Sequence, residues 1–433
     1  MIVRMGFSLR LFVNIKYLSI RVGCLDPNWT SGCCQQRWQV CNIIVILAVI
    51  SNILIIIDRT MDQFPVVDNY IYLNHAAVSP WPRVTYDAVS AFARENLEQG
   101  SAHYPHWLQV ETELRQRLAR LINAPSPDDI ALLKNTSEAL SFVAQGLKWQ
   151  AGDNVVLFSQ EFPSNRLVWQ SLECHGVEVR LLDLYASEEP EALLEQACDE
   201  RTRLLAVSAV QYARGYRADL QRLGEFCQQR QILFCVDAIQ WLGALDFDVQ
   251  AIQADFIMAD GHKWLLGPEG LGLFYTRAEL RDSLQLHEFG WHMTEKMEDF
   301  ESLSWEPAAS ARRFECGSPN ILCAHALHAS IGLILETGMD SIERNVLRNT
   351  SLMIEIINNY DELELLSLAG TSKRSGIVCF RHRHVPAETL YQRLKAEKVI
   401  CACRGGGIRF SPHFYTPAEQ LERALAIAAG AAM

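Results

Sequence analysis

From Met61 onward, short apolar runs alternate with segments whose apolar residues recur at helical spacing. The runs Ile130–Leu133, Val155–Ser159, Val177–Leu182, Leu204–Ser208, Ile232–Val236, Phe256–Ala259 and Gly272–Tyr275 predict strands. Between them, Ser137–Leu147, Asn165–Cys174, Glu191–Cys198 and Leu220–Gln229 predict amphipathic helices. Strands separated by helical crossovers imply an α/β fold, with a largely parallel sheet covered by helices on both faces. Functional groups in such sheets gather at the carboxyl ends of the strands. No internal repeat or low-complexity tract interrupts the pattern.

Composition narrows the function classes. The chain has 433 residues, 49% of them hydrophobic, enough for a sizeable core and two or three domains. Its net charge of −12, without a run of lysine and arginine, argues against nucleic acid as a partner. Thirteen scattered cysteines, an odd number with no CxxC pair, fit reduced thiols in a cytoplasmic enzyme and suggest no metal centre.

The first sixty residues differ from the rest. They carry six basic and two acidic side chains, whereas residues 61–433 carry 33 basic and 49 acidic ones. Within the leader, residues 40–57 are nearly apolar and reach the lower limit for a membrane span, interrupted by Asn42, Ser51 and Asn52. The long basic stretch ahead of this run does not suit a cleaved secretory signal. Spanning would send an acidic, cysteine-bearing body outside, because five basic residues precede the run. We therefore expect Met61 to be the true start, with residues 1–60 an atypical leader of translated upstream sequence, and no membrane partner. A membrane-anchored location through residues 40–57 is the alternative to the cytoplasm.

Three strand ends carry candidate chemistry. After Ile130–Leu133, the sequence Lys134-Asn135-Thr136-Ser137-Glu138 enters a helix, with Asn135 and Glu138 spaced as a capping box. Free N–H groups and the hydroxyls of Thr136 and Ser137 suit a phosphate, although most such caps merely start a helix. Asp237 follows Ile-Leu-Phe-Cys-Val, a place where aspartate commonly caps a turn. Lys263 follows the next apolar run, in Asp260-Gly-His-Lys-Trp-Leu-Leu. A phosphate cradle, an aspartate and a lysine at neighbouring strand ends are the three groups that pyridoxal 5′-phosphate needs. The amine condenses with the aldehyde, and apolar surroundings lower its pKa so that the neutral nucleophile is available. The aspartate pairs with the protonated pyridine nitrogen and keeps the ring an electron sink.

From about Tyr70 to the C-terminus, the chain resembles the class V aminotransferase family of fold-type I pyridoxal-phosphate enzymes. That family includes cysteine desulfurases, selenocysteine lyases, kynureninases and isopenicillin N epimerase-like proteins. Val236-Asp-Ala-Ile-Gln240 followed by Asp260-Gly-His-Lys-Trp-Leu-Leu-Gly-Pro268 is similar to its cofactor signature. The resemblance implies Lys263 as the Schiff-base lysine, Asp237 as the ring-nitrogen partner, Gln240 near the ring 3-oxygen and His262 beside the phosphate. Ser159-Gln-Glu-Phe-Pro-Ser-Asn165 is similar to the loop bearing the ring-stacking residue, here Phe162. Phe314-Glu-Cys-Gly-Ser-Pro-Asn320 is similar to the segment that reaches the neighbouring subunit's phosphate, which implies a homodimer with Ser318 as a cross-subunit ligand. Arg404-Gly-Gly-Gly-Ile-Arg409-Phe-Ser-Pro is similar to the C-terminal strand whose arginine, Arg409, binds the substrate carboxylate. In Tyr72-Leu-Asn-His75-Ala-Ala77, His75 is a candidate substrate contact, with a cap or surface role as the other reading.

Departures from the family pattern bear on the reaction. Desulfurases carry a nucleophilic cysteine on a mobile loop before the C-terminal arginine, whereas Cys401-Ala-Cys403-Arg404 runs straight into Gly405 with no room for that loop. Alternating cysteines on an apolar strand more often pack than react. Asp260 replaces a serine and stands outside the phosphate set. Ser208-Ala-Val-Gln211-Tyr212 lacks the usual His and Asn, leaving Gln211 or Tyr212 as a substitute ring-oxygen contact. His287 and His292, in HEFGWH, have loose metal-like spacing without a carboxylate pattern and read as loop or dimer-contact residues.

The expected architecture is an N-terminal segment (61–85) packing with a smaller C-terminal α/β domain (320–433), and a large cofactor domain (86–319). The expected function is an enzyme acting on an amino acid through Lys263, with transferase or lyase chemistry. Sulfur release of the desulfurase or selenocysteine lyase type is one alternative. A non-catalytic binding protein or membrane-tethered scaffold is the other.

Overall fold

The computed structural model describes residues 62–368 and 370–430, together with two N-terminal strands, β1 (Arg10–Asn14) and β2 (Ser19–Gly23). These two strands pair antiparallel in a unit of their own, residues 1–61. The apolar run at residues 40–57 lies outside the described residues. Among the described residues, no single helix is long and apolar enough to cross a membrane.

In the second unit, strand β3 (Ile71–Tyr72) is followed by β4 (Ile130–Leu133), β5 (Asn154–Phe158), β6 (Glu178–Leu182), β7 (Thr202–Ser208), β8 (Leu233–Asp237), β9 (Phe256–Asp260) and β10 (Gly272–Thr276). Strands β4 to β10 form one seven-stranded sheet in the order β4-β10-β9-β8-β7-β5-β6. All neighbours are parallel except around β10, which runs antiparallel to both β4 and β9. Six strands therefore point the same way, and their carboxyl ends share one edge.

The central strands are apolar at nearly every position because both faces are covered. Ile130, Leu132, Val156, Leu205, Val207, Phe234, Val236, Ile257 and Leu273 enter the core on one face. Ala131, Leu133, Val155, Leu157, Leu204, Ala206, Cys235, Phe256, Met258 and Phe274 enter the core on the other. The alternation is the period of two that a pleated strand imposes.

The C-terminal region contributes β11 (Leu363–Leu365), β12 (Val378–His382), β13 (Val399–Ile400), β14 (Ala402–Arg404) and β15 (Gly407–Phe410). Four of these form an antiparallel sheet, β11-β12-β15-β14, while β13 pairs in parallel with β3. The N-terminal segment is thus tied to the C-terminal region, and Ile71 and Leu73 share a core with Phe380, Ile408 and Phe410. The β14–β15 turn is made by Gly405 and Gly406 at φ 67° and 86°, the left-handed pair that a two-residue hairpin of this hand requires.

Residues 62–433 form one compact unit, and its cores do not change at residue 320. Leu327, Ile331 and Ile334 of helix Ile321–Thr337 belong to the large-sheet core. Helix Met339–Asn358 spans the change: Ile342 and Val346 join the large-sheet core, while Met353, Ile354 and Ile357 join the small one.

Candidate active site

Neighbouring strands bring the predicted groups together. Ser208, at the end of β7, pairs with Asp237 at the end of β8, and Asp237 pairs with Met258 of β9. Two residues past Met258 comes Asp260, whose pairing with Gly272 starts β10 beside Leu133 of β4. A side chain at Gly272 would put its Cβ 2.4 Å from the Ala259 carbonyl oxygen, so this junction needs glycine.

Lys263 sits on a tight turn. The Leu266 N–H donates to the Lys263 carbonyl at 3.0 Å and the Gly267 N–H to the Gly261 carbonyl at 2.9 Å. Leu266 pays for this closure with a left-handed φ of 60°. Trp264 beside it is fully buried, donates to Gln240 Oε1 at 2.9 Å and lies against the bare backbone of Gly376. The turn is therefore clamped on one side and leaves the Lys263 side chain on the other. Its Nζ lies 5.6 Å from the centre of the Phe162 ring.

Burial dominates the electrostatics. It pulls the Lys263 amine down to about 8, against an opposing effect of Asp237. Burial likewise pushes the Asp237 carboxyl up to about 6, opposed by the Ile239 N–H, which donates to Oδ1 at 3.0 Å, and by Lys263. Behind Asp237 stands Glu161, which the sequence reading passed over although it immediately precedes Phe162. It is buried, accepts from the Ser208 N–H at 2.9 Å, from the Ser208 hydroxyl and from Asn165 Nδ2 at 2.9 Å. Burial pushes its carboxyl up to about 7.

The phosphate cradle has the expected elements. Helix Thr136–Gly146 starts at Asn135, whose side chain accepts from the Glu138 N–H at 2.9 Å. The return bond of the capping box goes elsewhere: the Glu138 carboxylate accepts from the Lys134 N–H at 2.7 Å. Thr136 Oγ1 is buried with no hydrogen-bond partner. Ser137 Oγ meets Ser164 Oγ at 2.8 Å. His262 Nδ1 approaches Asp260 Oδ1 to 3.2 Å, yet the two are not aligned for a hydrogen bond, and both atoms are otherwise unpartnered and buried. Asp260 thus faces His262.

Arg409 is 1% exposed and has no carboxylate partner among the described residues. It donates to the Tyr212 carbonyl at 2.7 Å and reaches Asn74 Oδ1 at 3.4 Å, while its Nε is unsatisfied. Burial, reinforced by Arg404, pulls it down to about 10. A buried guanidinium held this way is open to an anion.

Other expected residues are held by structural hydrogen bonds. His75 is fully buried, with Nδ1 at 2.8 Å from the Ser411 carbonyl and Nε2 at 2.6 Å from the Tyr415 hydroxyl. Both ring nitrogens are used, and the residue ties the N-terminal segment to the C-terminal region. Gln240 donates to the Ala76 carbonyl at 2.9 Å and accepts from Trp264, so both ends of its amide are engaged. Gln211 is similarly occupied by the Gln160 carbonyl and the Ala213 and Arg214 N–H groups. Tyr212 packs edge-on against Phe162 at 5.2 Å.

His292 differs from its expected loop or dimer-contact role. It is buried between Glu111 and Glu315, at 3.9 and 3.6 Å. The Arg115 guanidinium pairs with both carboxylates and already takes the position a cation would need. His287 is exposed and bonds the Gln145 carbonyl at 2.6 Å. Ser318 is exposed. A cavity lined by Phe289, Trp291, Phe300 and Trp305 lies in the same intervening segment, and none of the Lys263 cluster lines it.

These residues fit pyridoxal 5′-phosphate. The orphaned Thr136 hydroxyl and His262 Nδ1 suit its phosphate, Asp237 its ring nitrogen, Phe162 its face and Lys263 its aldehyde. Comparison with known proteins agrees. The aminotransferase class-V family matches residues 71–423. A probable cysteine desulfurase of Methanothermobacter thermautotrophicus is 31% identical, over 84% of this chain and 96% of its own length. An uncharacterized aminotransferase of Bacillus subtilis, YcbU, is 29% identical over 84% of this chain and 94% of its own. The apo cysteine desulfurase of Thermococcus onnurineus superposes with a TM-score of 0.75 at 26% identity, covering 84% of this chain and 94% of that one. With its Lys263 cluster and a match over nearly all of residues 62–430, the chain belongs to the class-V aminotransferase family of pyridoxal-phosphate enzymes.

Proposed function

We propose that the protein acts at the α-carbon of a free amino acid, by elimination or amino transfer, without a protein thiol as nucleophile. The carrying observation is the side of the small sheet on which its cysteines lie. Cys379 and Ala402 pair with Arg409, so they share its face, whereas Cys403 pairs with Ile408 on the opposite face. Cys401 is buried in the core with Ile408 and Phe410, and burial pushes its thiol up to about 12. Cys379, on the Arg409 face, is fully buried, donates to the Arg404 carbonyl at 3.3 Å and is also pushed up to about 12. None of the three is poised as a thiolate.

Pyridoxal phosphate, when bound, supplies an electron sink for the bond broken at the α-carbon. The neutral Lys263 amine holds the cofactor covalently and later moves the proton at that carbon. Asp237, ionised above about pH 6, offers its carboxylate to the ring nitrogen. Arg409 fixes the substrate carboxylate, and Phe162 covers one face of the ring.

The name of the Methanothermobacter relative supports a second reading, sulfur release from cysteine. A screen of amino acids for keto acid, sulfide and alanine separates the two. Sulfide that persists in Cys379→Ala, Cys401→Ala and Cys403→Ala fits elimination. Sulfide lost in any one of them restores the desulfurase reading.

We also propose a cytoplasmic homodimer with Ser318 reaching the partner's phosphate site. Support comes from the exposure of Ser318 and from the exposed Phe289, Phe300, Leu303 and Trp305 in the segment leading to it. The proposed division into a large domain (86–319) and a small one (320–433) rests on the two sheets, although helix Ile321–Thr337 packs in the large-sheet core and the cores change within helix Met339–Asn358.

A further inference from the structure

The β14–β15 hairpin places a second arginine on the face that carries Arg409. Arg404 pairs with Gly407, two residues before Arg409 on the same strand. Arg404 and Arg409 are therefore diagonal neighbours, with Cα atoms about 7–8 Å apart, within joint reach of two long side chains. Arg409 is buried, whereas Arg404 is exposed and pairs with no carboxylate among the described residues. The backbone at Arg404 is fixed. The two glycines define the turn, Arg214 Nε donates to the Gly405 carbonyl at 2.9 Å, and Cys379 Sγ donates to the Arg404 carbonyl at 3.3 Å. Both arginines act electrostatically on Lys263 in the same direction, so both lie within its field.

Resting on the function proposed above, we infer that the substrate is an amino acid with a second carboxylate at the end of a short side chain. Arg409 takes the α-carboxylate at the bottom of the site and Arg404 takes the distal anion at its mouth. A single carboxylate on Arg409 leaves the exposed Arg404 paired with water alone and free to hold a second anion. A dianion neutralises both and relieves their mutual repulsion.

The test is calorimetric binding of glutarate and butyrate, which lack the amino group and do not react, to the full-length protein incubated with pyridoxal phosphate. Wild-type protein should prefer glutarate by at least about ten-fold. Arg404→Gln should reduce the ratio to about one, and Arg404→Lys should restore part of it. No glutarate preference in the wild type, or a ratio unchanged in Arg404→Gln, overturns the inference. Absorbance of the lysine-bound cofactor is read on the same samples. Coloured protein without the preference sinks this inference alone, whereas colourless protein sinks the cofactor reading while the binding ratio still decides the dianion site.

Discussion

Asp237 and Lys263 stand at the ends of adjacent parallel strands, both buried, and each opposes the shift that burial imposes on the other. Burial wins in both cases. Near neutral pH the carboxylate is ionised while the amine lies close to its titration point. That is the combination a cofactor with a basic ring nitrogen and an aldehyde requires. Asp237→Asn, which keeps the volume and removes the charge, should lower turnover by about a hundred- to thousand-fold. Turnover assays on cofactor-loaded protein, confirmed by absorbance, check this.

Cofactor capture should follow the Lys263 amine. Below about pH 8 the amine is protonated and unreactive, so the initial rate of capture should rise about ten-fold per pH unit and level off above pH 8. Stability of the cofactor-free protein should show the linked effect. Between about 8 and 10.5 the unfolded lysine still binds the proton that the folded one has released, so this group makes stability rise with pH across that window. Stopped-flow absorbance and denaturant titrations at several pH values read the two.

Arg409→Met should separate binding from stability. The buried guanidinium has no carboxylate partner among the described residues, so its loss leaves the fold as stable or up to about 1 kcal/mol more so. Affinity for the amino acid should fall about ten- to hundred-fold as its carboxylate loses a charged donor. Thermal melts and substrate titrations of the same variant test both.

The opposite outcome is expected at His75. Removing its imidazole in His75→Ala leaves the Tyr415 hydroxyl without its partner in a sealed site and opens a void beside Trp264. The cost should be about 3 kcal/mol of stability. The protein that remains folded should keep its KM, measured after correction for the folded fraction.

Much of this site was legible because its groups sit where a local pattern ends. Asp237 and Lys263 each follow an apolar run that both cores claim, and a parallel sheet leaves such residues together at one edge. The residues that were not legible depend on partners distant in sequence. The carboxylates that flank His292 are not its sequence neighbours Glu288 and Glu295, and only the packing of helix Tyr104–Leu121 against the Phe314 region brings Glu111 and Glu315 to it. His75 carries suitable chemistry, but Tyr415 and Ser411 engage both of its ring nitrogens, whereas the Gln240 amide keeps a second N–H beside its bond to the Ala76 carbonyl. The facing of Cys403 and Arg404 hangs on the Gly405–Gly406 turn, because a register shift of one residue would exchange their sides.

Lys263 is proposed as the covalent anchor of pyridoxal phosphate. Reduction of the loaded protein with borohydride, followed by peptide mass spectrometry, tests it directly. The pyridoxyl group should appear on Lys263 and disappear in Lys263→Ala. A pyridoxyl group on another lysine, or an unmodified Lys263 in a protein that still turns over amino acids, would contradict it.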